Sequence, residues 1–591
     1  MAPETIPALF LDAVRTHDKL DALRQQRRGL YEAMSHREAL AAVKAATSGL
    51  LASGLSKGDR IALLSENRIE WVIADLAILS AGCVTVPIYA TLPANQVEYI
   101  LRDSEARAVF VSCRAQFDKI ASIASRLPGL QHVYSFDPLD GGGPAISLEE
   151  LSKKGSGLPP EVFDERLSTI GATDWASIIY TSGTTGDPKG AILTHENFVS
   201  DVLSCTQVLK IGRDDRCLSC LPLSHAFERT AGYYAPLHRG TTIVYPENAA
   251  KVMDNLAEVR PTFVVCVPRL FEKLYAGIMG AASRGPALQK KLFSWAVRTG
   301  AERREQLAAG RVRLAKRLER GLAEALVFCK LRARMGGRLR FFVSGGAPLR
   351  RDIAEFFDTA GIPILEGYGL TETSPVISVN TFDHFKLGTV GKPIPGVDVR
   401  IAHDGEILVK GPNVMQGYFK QPARTAEVLR EGWFFTGDIG FVDEDGHLVI
   451  TDRKKDIIVT TGGKNVAPQL IEGLLKSSGY ISQALIVGND RKFVSAIVVP
   501  DFEILAAFAG NAGISFADHT ELLGHPEIVS KLRDEIDRVS EPLASFERVK
   551  KFVLAEREFS IEEDELTPTL KLKRRVIEKK FREDIDALYG E

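Results

Sequence analysis

The chain has 591 residues, more than one compact core accommodates, so at least two domains are expected. Its 45% apolar and 25% charged residues are those of a globular protein, and a net charge of −2 excludes a molecule built as a whole to hold nucleic acid. Seven scattered cysteines, an odd number, suit a reducing cytoplasm better than a disulfide framework.

The opening stretch MAPETIPALFLDAVRTHDKL lacks a basic start followed by an unbroken apolar run, so no signal peptide is expected. Residues 68–80 read as helix, 83–89 as strand, 95–103 as helix and 107–112 as strand. That alternation predicts a layered α/β architecture with mainly parallel strands. The uncharged run 76–97 is no membrane span, because Gly82, Pro87, Pro93, Asn95 and Gln96 interrupt it; it reads as a buried αβ unit. Cys217 and Cys220 form a CxxC with no second pair and lead straight into Leu221–Leu223, so strand packing is the expected role rather than zinc or redox chemistry.

Between Ser283 and Arg340 stand 16 Lys/Arg against 4 Glu, a local charge of +12 that leaves about −14 on the rest of the chain. Leu307, Leu314, Leu318, Leu322 and Leu326 recur there at helical spacing. This basic helical insert, about 275–340, is either a solvated face or a contact with an anionic membrane surface. From about 385 to 450 short strands and turns mark a β-rich subdomain. The charged junction TDRKKD at 451–456 follows, and then a small α+β tail with strands near 483–488 and 494–499 and helices near 526–538 and 572–586. The expected domains are therefore 1–451 and 452–591, with a hinge at 452–456.

The densest chemistry lies in YTSGTTGDPKG, Tyr180 to Gly190, after the strand-like WASII. Gly183, Gly186 and Gly190 let the backbone approach an anion, Thr181, Ser182, Thr184 and Thr185 add hydroxyl donors, and Lys189 adds positive charge. Composition alone equally describes a flexible Ser/Gly linker. The segment is not a Walker loop, since position 188 is Pro and Lys189 is followed by Gly. Its residue order resembles the phosphate loop of the superfamily that joins acyl- and aryl-CoA synthetases, peptide-synthetase adenylation domains and luciferases.

The remaining motifs fall in that superfamily's order. SGGAP at 344–348, with Gly346 and Ala347, looks like the wall shared by the acyl and adenine sites. In Gly367-Tyr-Gly-Leu-Thr-Glu372 the resemblance implies that Tyr368, between Gly367 and Gly369, stacks on adenine, that Thr371 contacts the α-phosphate, and that Glu372 holds Mg²⁺ together with Thr181. FTGD at 435–438 looks like the ribose motif, with Asp438 and Arg453 as the ribose contacts and Lys455 as the domain hinge. In LTPTLKLKR at 566–574, Lys571 matches the catalytic lysine of the C-terminal domain, with Lys573 as the alternative if the register shifts. His225, in PLSHAFER, matches the pocket position near the substrate carboxylate.

PLSHAFER, TTGGKNVAP at 460–468, LTPTLKLKR and the helical insert are each similar to long-chain fatty acyl-CoA synthetases. Which of Gly462 and Gly463 lines the pantetheine path stays open. The resemblance implies ATP, Mg²⁺ and CoA as cofactors and co-substrates and a fatty acid as acyl donor; the cysteine usage points to a cytoplasmic enzyme, either free or, through the basic insert, in peripheral contact with the inner membrane face. It also implies a large N-terminal domain of layered α/β subdomains with a β-rich subdomain, then a small mobile α+β domain. The alternatives are an acyl-AMP ligase loading a carrier protein, a medium-chain or aryl acid CoA ligase, a luciferase-like oxidase, and a non-catalytic lipid- or nucleotide-binding protein of the same fold.

Overall fold

The computed structural model describes residues 3–139, 145–181, 188–247, 251–308, 314–560, 563–567 and 571–590, with backbone only for 303–308 and 314–317. The large N-terminal domain is built on two sheets. One has eight strands, in spatial order Gly417–Tyr418, Lys189–Thr194, Trp175–Thr181, Val84–Ile88, Arg60–Leu64, Ala108–Val111, His132–Ser135 and Ile146–Ser147. The other has nine, from Lys392–Pro393 through Val376–Val379, Ile364–Gly369, Phe341–Ser344, Phe263–Cys266, Arg216–Ser219 and Thr242–Tyr245 to Leu23–Arg27 and Leu30–Met34. The inner strands of both run parallel, as the alternation of strand- and helix-like segments predicts.

Helix Ile69–Ser80 shows how the sequence specifies the packing. Every residue from Trp71 to Ser80 is buried, because the helix lies in the core cluster that joins the two sheets. A helix buried all round needs no polar face, and its last residues, 76–80, open the uncharged run 76–97. Its one acidic side chain inside that core is Asp75. The Asp75 carboxylate pairs with Arg229 and accepts from Thr85 Oγ1 at 2.9 Å and from Tyr234 OH at 2.7 Å. Arg229 also donates from Nη1 to Ser177 Oγ at 2.7 Å and from Nε to Tyr234 OH at 2.9 Å. Both members of the pair are fully buried. The arginine of PLSHAFER is thus a strut between the sheets.

The β-rich part is a five-stranded sheet containing Asp398–Ile401, Glu406–Lys410, Leu429–Arg430, Trp433–Val442 and Leu448–Arg453. The C-terminal domain holds a three-stranded sheet, Ile481–Val487, Ser495–Pro500 and Lys551–Leu554, with helices Pro468–Leu475 and Pro526–Ser540. The helix expected at 572–586 is two helices, Arg574–Lys580 and Arg582–Tyr589. They break at Phe581, whose ring packs inward 6.2 Å from Phe559.

The basic region forms helices Pro268–Arg284, Ala287–Ala308, Leu314–Ala323 and Cys329–Arg334, the last two joined by a π-helical turn at Glu324–Phe328. Leu318, Leu322 and Leu326 are 70%, 57% and 42% exposed, so that leucine row faces out; the Leu307 and Leu314 side chains lie outside the described residues. Among the described residues no helix is long and apolar enough to cross a membrane. Cys217 is buried in strand Arg216–Ser219 and carries no disulfide, in keeping with strand packing.

Candidate active site

A cavity of about 2370 Å³ lies where the carboxyl ends of the nine-stranded sheet, the β-rich sheet and the C-terminal domain meet. Thr181, Lys189, His225, Gly346, Ala347, Gly367, Tyr368, Gly369, Thr371, Glu372, Asp438, Arg453, Lys455 and Lys571 all line it. Ser182, Gly183, Thr184, Thr185 and Gly186 lie outside the described residues. Of the 180–190 segment the structure shows the two stems: Thr181 ends one strand, Lys189 begins the next, and the two pair directly.

Strand Ile364–Gly369 turns back into Val376–Val379, and that hairpin explains one glycine. A Cβ at Gly369 would overlap the Pro375 carbonyl, so close backbone approach alone requires glycine there. The hairpin delivers Tyr368 and, one short turn later, Thr371 and Glu372 to the cavity. Tyr368 donates its hydroxyl to Asp438 Oδ2 at 2.6 Å, and the other oxygen of Asp438 faces Arg453 Nε at 3.0 Å. Asp438 and Arg453 are register partners on adjacent strands, so the sheet itself brings the FTGD aspartate to the DRKKD arginine. The ring of Tyr368 is held by its own hydroxyl, which leaves a fixed aromatic surface on the cavity wall.

At the other end of this polar rim, Tyr418 donates to Glu372 Oε1 at 2.8 Å, and Lys189 Nζ lies 4.9 Å from the centre of the Tyr418 ring. Burial, with the charges of Arg424 and Lys455 nearby, lowers the pKa of Lys189. Three cations, Lys189, Arg424 and Lys455, therefore converge with the carboxylates of Glu372 and Glu427, a concentration of positive charge that suits a polyphosphate. Tyr418 and Arg424 were not anticipated from the sequence. Tyr418 is far from Glu372 in the chain and reaches it only because Gly417–Tyr418 pairs with strand Lys189–Thr194.

Lys571 keeps exposed surface and lines the cavity. Burial first, and then Arg453, pull its pKa down to about 8, while Asp438 and Glu372 work in the opposite direction. The alternative lysine, Lys573, is ion-paired with Asp564. His225 is held neutral, its pKa lowered to about 4 by burial and by Lys571. Its Nδ1 accepts the Phe227 N–H at 3.1 Å, so the ring proton resides on Nε2. A neutral donor and an ammonium thus approach the same volume.

Beyond His225 the wall becomes apolar. It follows one face of the nine-stranded sheet through Gly345, Val343, Phe341 and Phe263, with Ala231, Ala235, Leu209 and Ile211 opposite. Helix His195–Val208 carries Cys205 and Thr206 to this wall. Thr194 and Asn197 start it by a reciprocal cap, which contributes ~1 kcal/mol. Phe341, 0% exposed, and Phe263, 2% exposed, close this apolar wall at its far end. A nucleotide site at the strand ends needs no such extension.

For a divalent cation, the Glu372 carboxylate and the Thr181 hydroxyl are hard oxygen donors beside the converging lysines, a set that suits Mg²⁺ shared with phosphate oxygens. The cluster of Asp443, Asp445 and His447 lies elsewhere, in a hairpin turn, where the Lys386 ammonium already bridges the two carboxylates.

Comparison with known proteins identifies the family. The AMP-binding enzyme family model matches residues 10–419, and the model of the AMP-binding enzyme C-terminal domain matches 455–591. A long-chain-fatty-acid–CoA ligase, FadD15, of Mycobacterium bovis is 39% identical over 95% of this chain and 93% of its own. Peroxisomal long chain acyl-CoA synthetase 6 of Arabidopsis thaliana is 33% identical over 95% of this chain and 82% of its own. Among solved structures, ATP-bound MatB from Rhodopseudomonas palustris superposes with a TM-score of 0.71 at 26% identity, covering 98% of this chain and 99% of that one.

Proposed function

The chain belongs to the AMP-binding enzyme family, and from that premise we propose that it joins a long-chain fatty acid to coenzyme A through an acyl-adenylate, releasing AMP and pyrophosphate. The observation that carries the acyl choice is the apolar extension of the cavity to Phe263 and Phe341. A short or compact aryl acid would leave that length unfilled. The names of the two relatives point the same way.

In the first half-reaction the fatty carboxylate attacks the α-phosphorus of ATP and pyrophosphate leaves. Tyr368 supplies the surface for adenine, Asp438 and Arg453 hold the ribose, and Thr371 and Lys189 contact phosphate oxygens. Thr181, paired with Lys189 at the base of the 180–190 segment, adds a hydroxyl donor to the phosphates. Mg²⁺, when bound with ATP through Glu372 and Thr181, supplies further charge neutralisation. The Nε2–H of His225 orients the fatty carboxylate, and the Lys571 ammonium offsets charge building on the α-phosphate and the acyl oxygen. In the second half-reaction the CoA thiol attacks the acyl carbonyl and AMP leaves. Residues 452–591 act as a lid that turns about Lys455 between the halves and withdraws Lys571.

Incubation with ATP, Mg²⁺ and acids from short to very long, with and without CoA, tests the function. Acyl-CoA and AMP should form best with long chains. Acyl-adenylate that persists whether or not CoA is present would instead favour a carrier-protein acceptor. Lys571→Ala should lower acid-dependent ATP–pyrophosphate exchange by ~10²–10³-fold, while thioester formation from supplied acyl-adenylate survives.

A second reading concerns location. The row Leu318, Leu322 and Leu326 is exposed within a segment of +12, the pairing of apolar face and basic flank that suits an anionic membrane surface. We infer peripheral attachment at the cytoplasmic membrane face through this helix. Liposome flotation decides it: binding should require anionic lipid and weaken with salt, and binding indifferent to both removes the idea.

A further inference from the structure

We propose that Arg350 is a positioning residue for adenylation, a latch that holds the C-terminal domain where Lys571 enters the cavity. The inference rests on the lid movement proposed above and adds the contact that selects one of its two positions. Arg350 lies in the loop that leaves SGGAP, just before helix Arg351–Thr359. Two of its nitrogens form a fork on Asp352 in that helix's first turn, at 3.1 and 2.6 Å. The fork fixes the guanidinium plane, and the remaining Nη1 points across the domain boundary to the backbone carbonyl of Lys476, at 3.0 Å.

That carbonyl caps the carboxyl end of helix Pro468–Leu475, where the helix dipole and free carbonyls favour a cation. A cation from one domain therefore completes a helix end of the other, and does so only while the domains stand as they do here. The Arg350 side chain is 17% exposed, so water competes poorly for the contact. Two weaker pairs flank it: Lys476 Nζ with Glu272 at 3.9 Å and Arg269 with Glu558 at 3.7 Å. Both are more exposed and contribute little by themselves. All three tie the C-terminal domain to helix Pro268–Arg284 and the SGGAP loop, which are walls of the cavity.

Arg350 touches none of the reacting atoms in this scheme, and its effect is confined to the step that needs Lys571 in place. Acid-dependent ATP–pyrophosphate exchange and thioester formation from supplied acyl-adenylate plus CoA are measured side by side for Arg350→Ala, Arg350→Lys, Lys571→Ala and the unaltered protein. Arg350→Ala should lower exchange by about tenfold, the loss expected for one charge-assisted hydrogen bond. Thioester formation should stay within about twofold, because the lid is then in its other position. Arg350→Lys keeps the charge without the fork and should fall between; it carries the test if the alanine variant does not fold. Equal loss in both half-reactions, or no loss in exchange, overturns the latch. If Lys571→Ala separates the half-reactions and Arg350→Ala does not, the latch alone is lost. If the unaltered protein shows no acid-dependent exchange, the adenylation reading itself has failed.

Discussion

Two aspartate–arginine pairs in this protein use the same chemistry for different ends. Asp75–Arg229 lies between the two large sheets, with both side chains fully buried, Thr85 donating to Asp75, Ser177 accepting from Arg229, and Tyr234 bonded to both. Asp438–Arg453 lies on the cavity wall, where Tyr368 donates to one carboxylate oxygen and the Arg453 side chain stays 43% exposed. The first pair has its hydrogen-bonding capacity taken up by protein and nothing can reach it. The second keeps donors open to the cavity. Accessibility, not residue type, separates a strut from a binding group.

Breaking the sealed pair should have the largest effect. Arg229→Ala leaves Asp75 buried and unpaired and should cost about 3–5 kcal/mol of stability, read by denaturant unfolding. A double change to apolar residues, Asp75→Leu with Arg229→Met, should recover much of that loss. If Arg229→Ala unfolds at the parent's denaturant concentration, the strut reading is wrong.

Asp438→Asn makes the opposite test. Unfolding should shift little, whereas the KM for ATP should rise by about ten- to a hundredfold, as when a charged acceptor for a substrate hydroxyl is lost. A large stability loss with an unchanged KM would place this pair with the struts.

Titration separates the interior histidines from the cavity lysine. His36 and His195 are both buried, with pKa values lowered to about 4, and each accepts a backbone N–H at Nδ1, from Lys19 and Ile6 respectively. Their folded pKa values lie below the unfolded one, so the folded state binds fewer protons. Stability should hold above the ordinary histidine pKa, then fall as the pH drops towards 4, by up to ~1.4 kcal/mol per unit for each ring. Lys571 titrates at about 8 beside the cavity, and the phosphates of ATP will raise that value. ATP binding at pH 8–9 should therefore take up protons, seen as a buffer-dependent heat of binding that Lys571→Ala abolishes. A buffer-independent heat would remove the lysine from the phosphate site.

The smallest effect expected is on chain length. Ala231→Phe adds a ring to the apolar wall and should raise the KM for the longest acids by roughly tenfold or less while sparing medium-chain acids. Equal loss across the acid panel would mean the acyl chain does not pass Ala231.

Much of this protein was legible in its sequence. The motifs at 180–190, 367–372 and 435–438 are contiguous, so their residue order was enough to name an adenylating chemistry before any contact was known. Helix Ile69–Ser80 and strand Val84–Ile88 could be read from local pattern because burial on all sides leaves an unbroken apolar run. The tertiary structure decided everything that depends on residues far apart in the chain. It set Tyr418 on Glu372, gathered Arg424 and Lys455 about Lys189, and placed Lys571 rather than Lys573 beside Asp438 and Glu372. It also carried the apolar wall to Phe263 and Phe341 and set Arg350 against Lys476. Local sequence carries no signal for such meetings, because strand order and domain docking arise from packing over the whole chain, and the same charged or aromatic residue would read identically on an open surface.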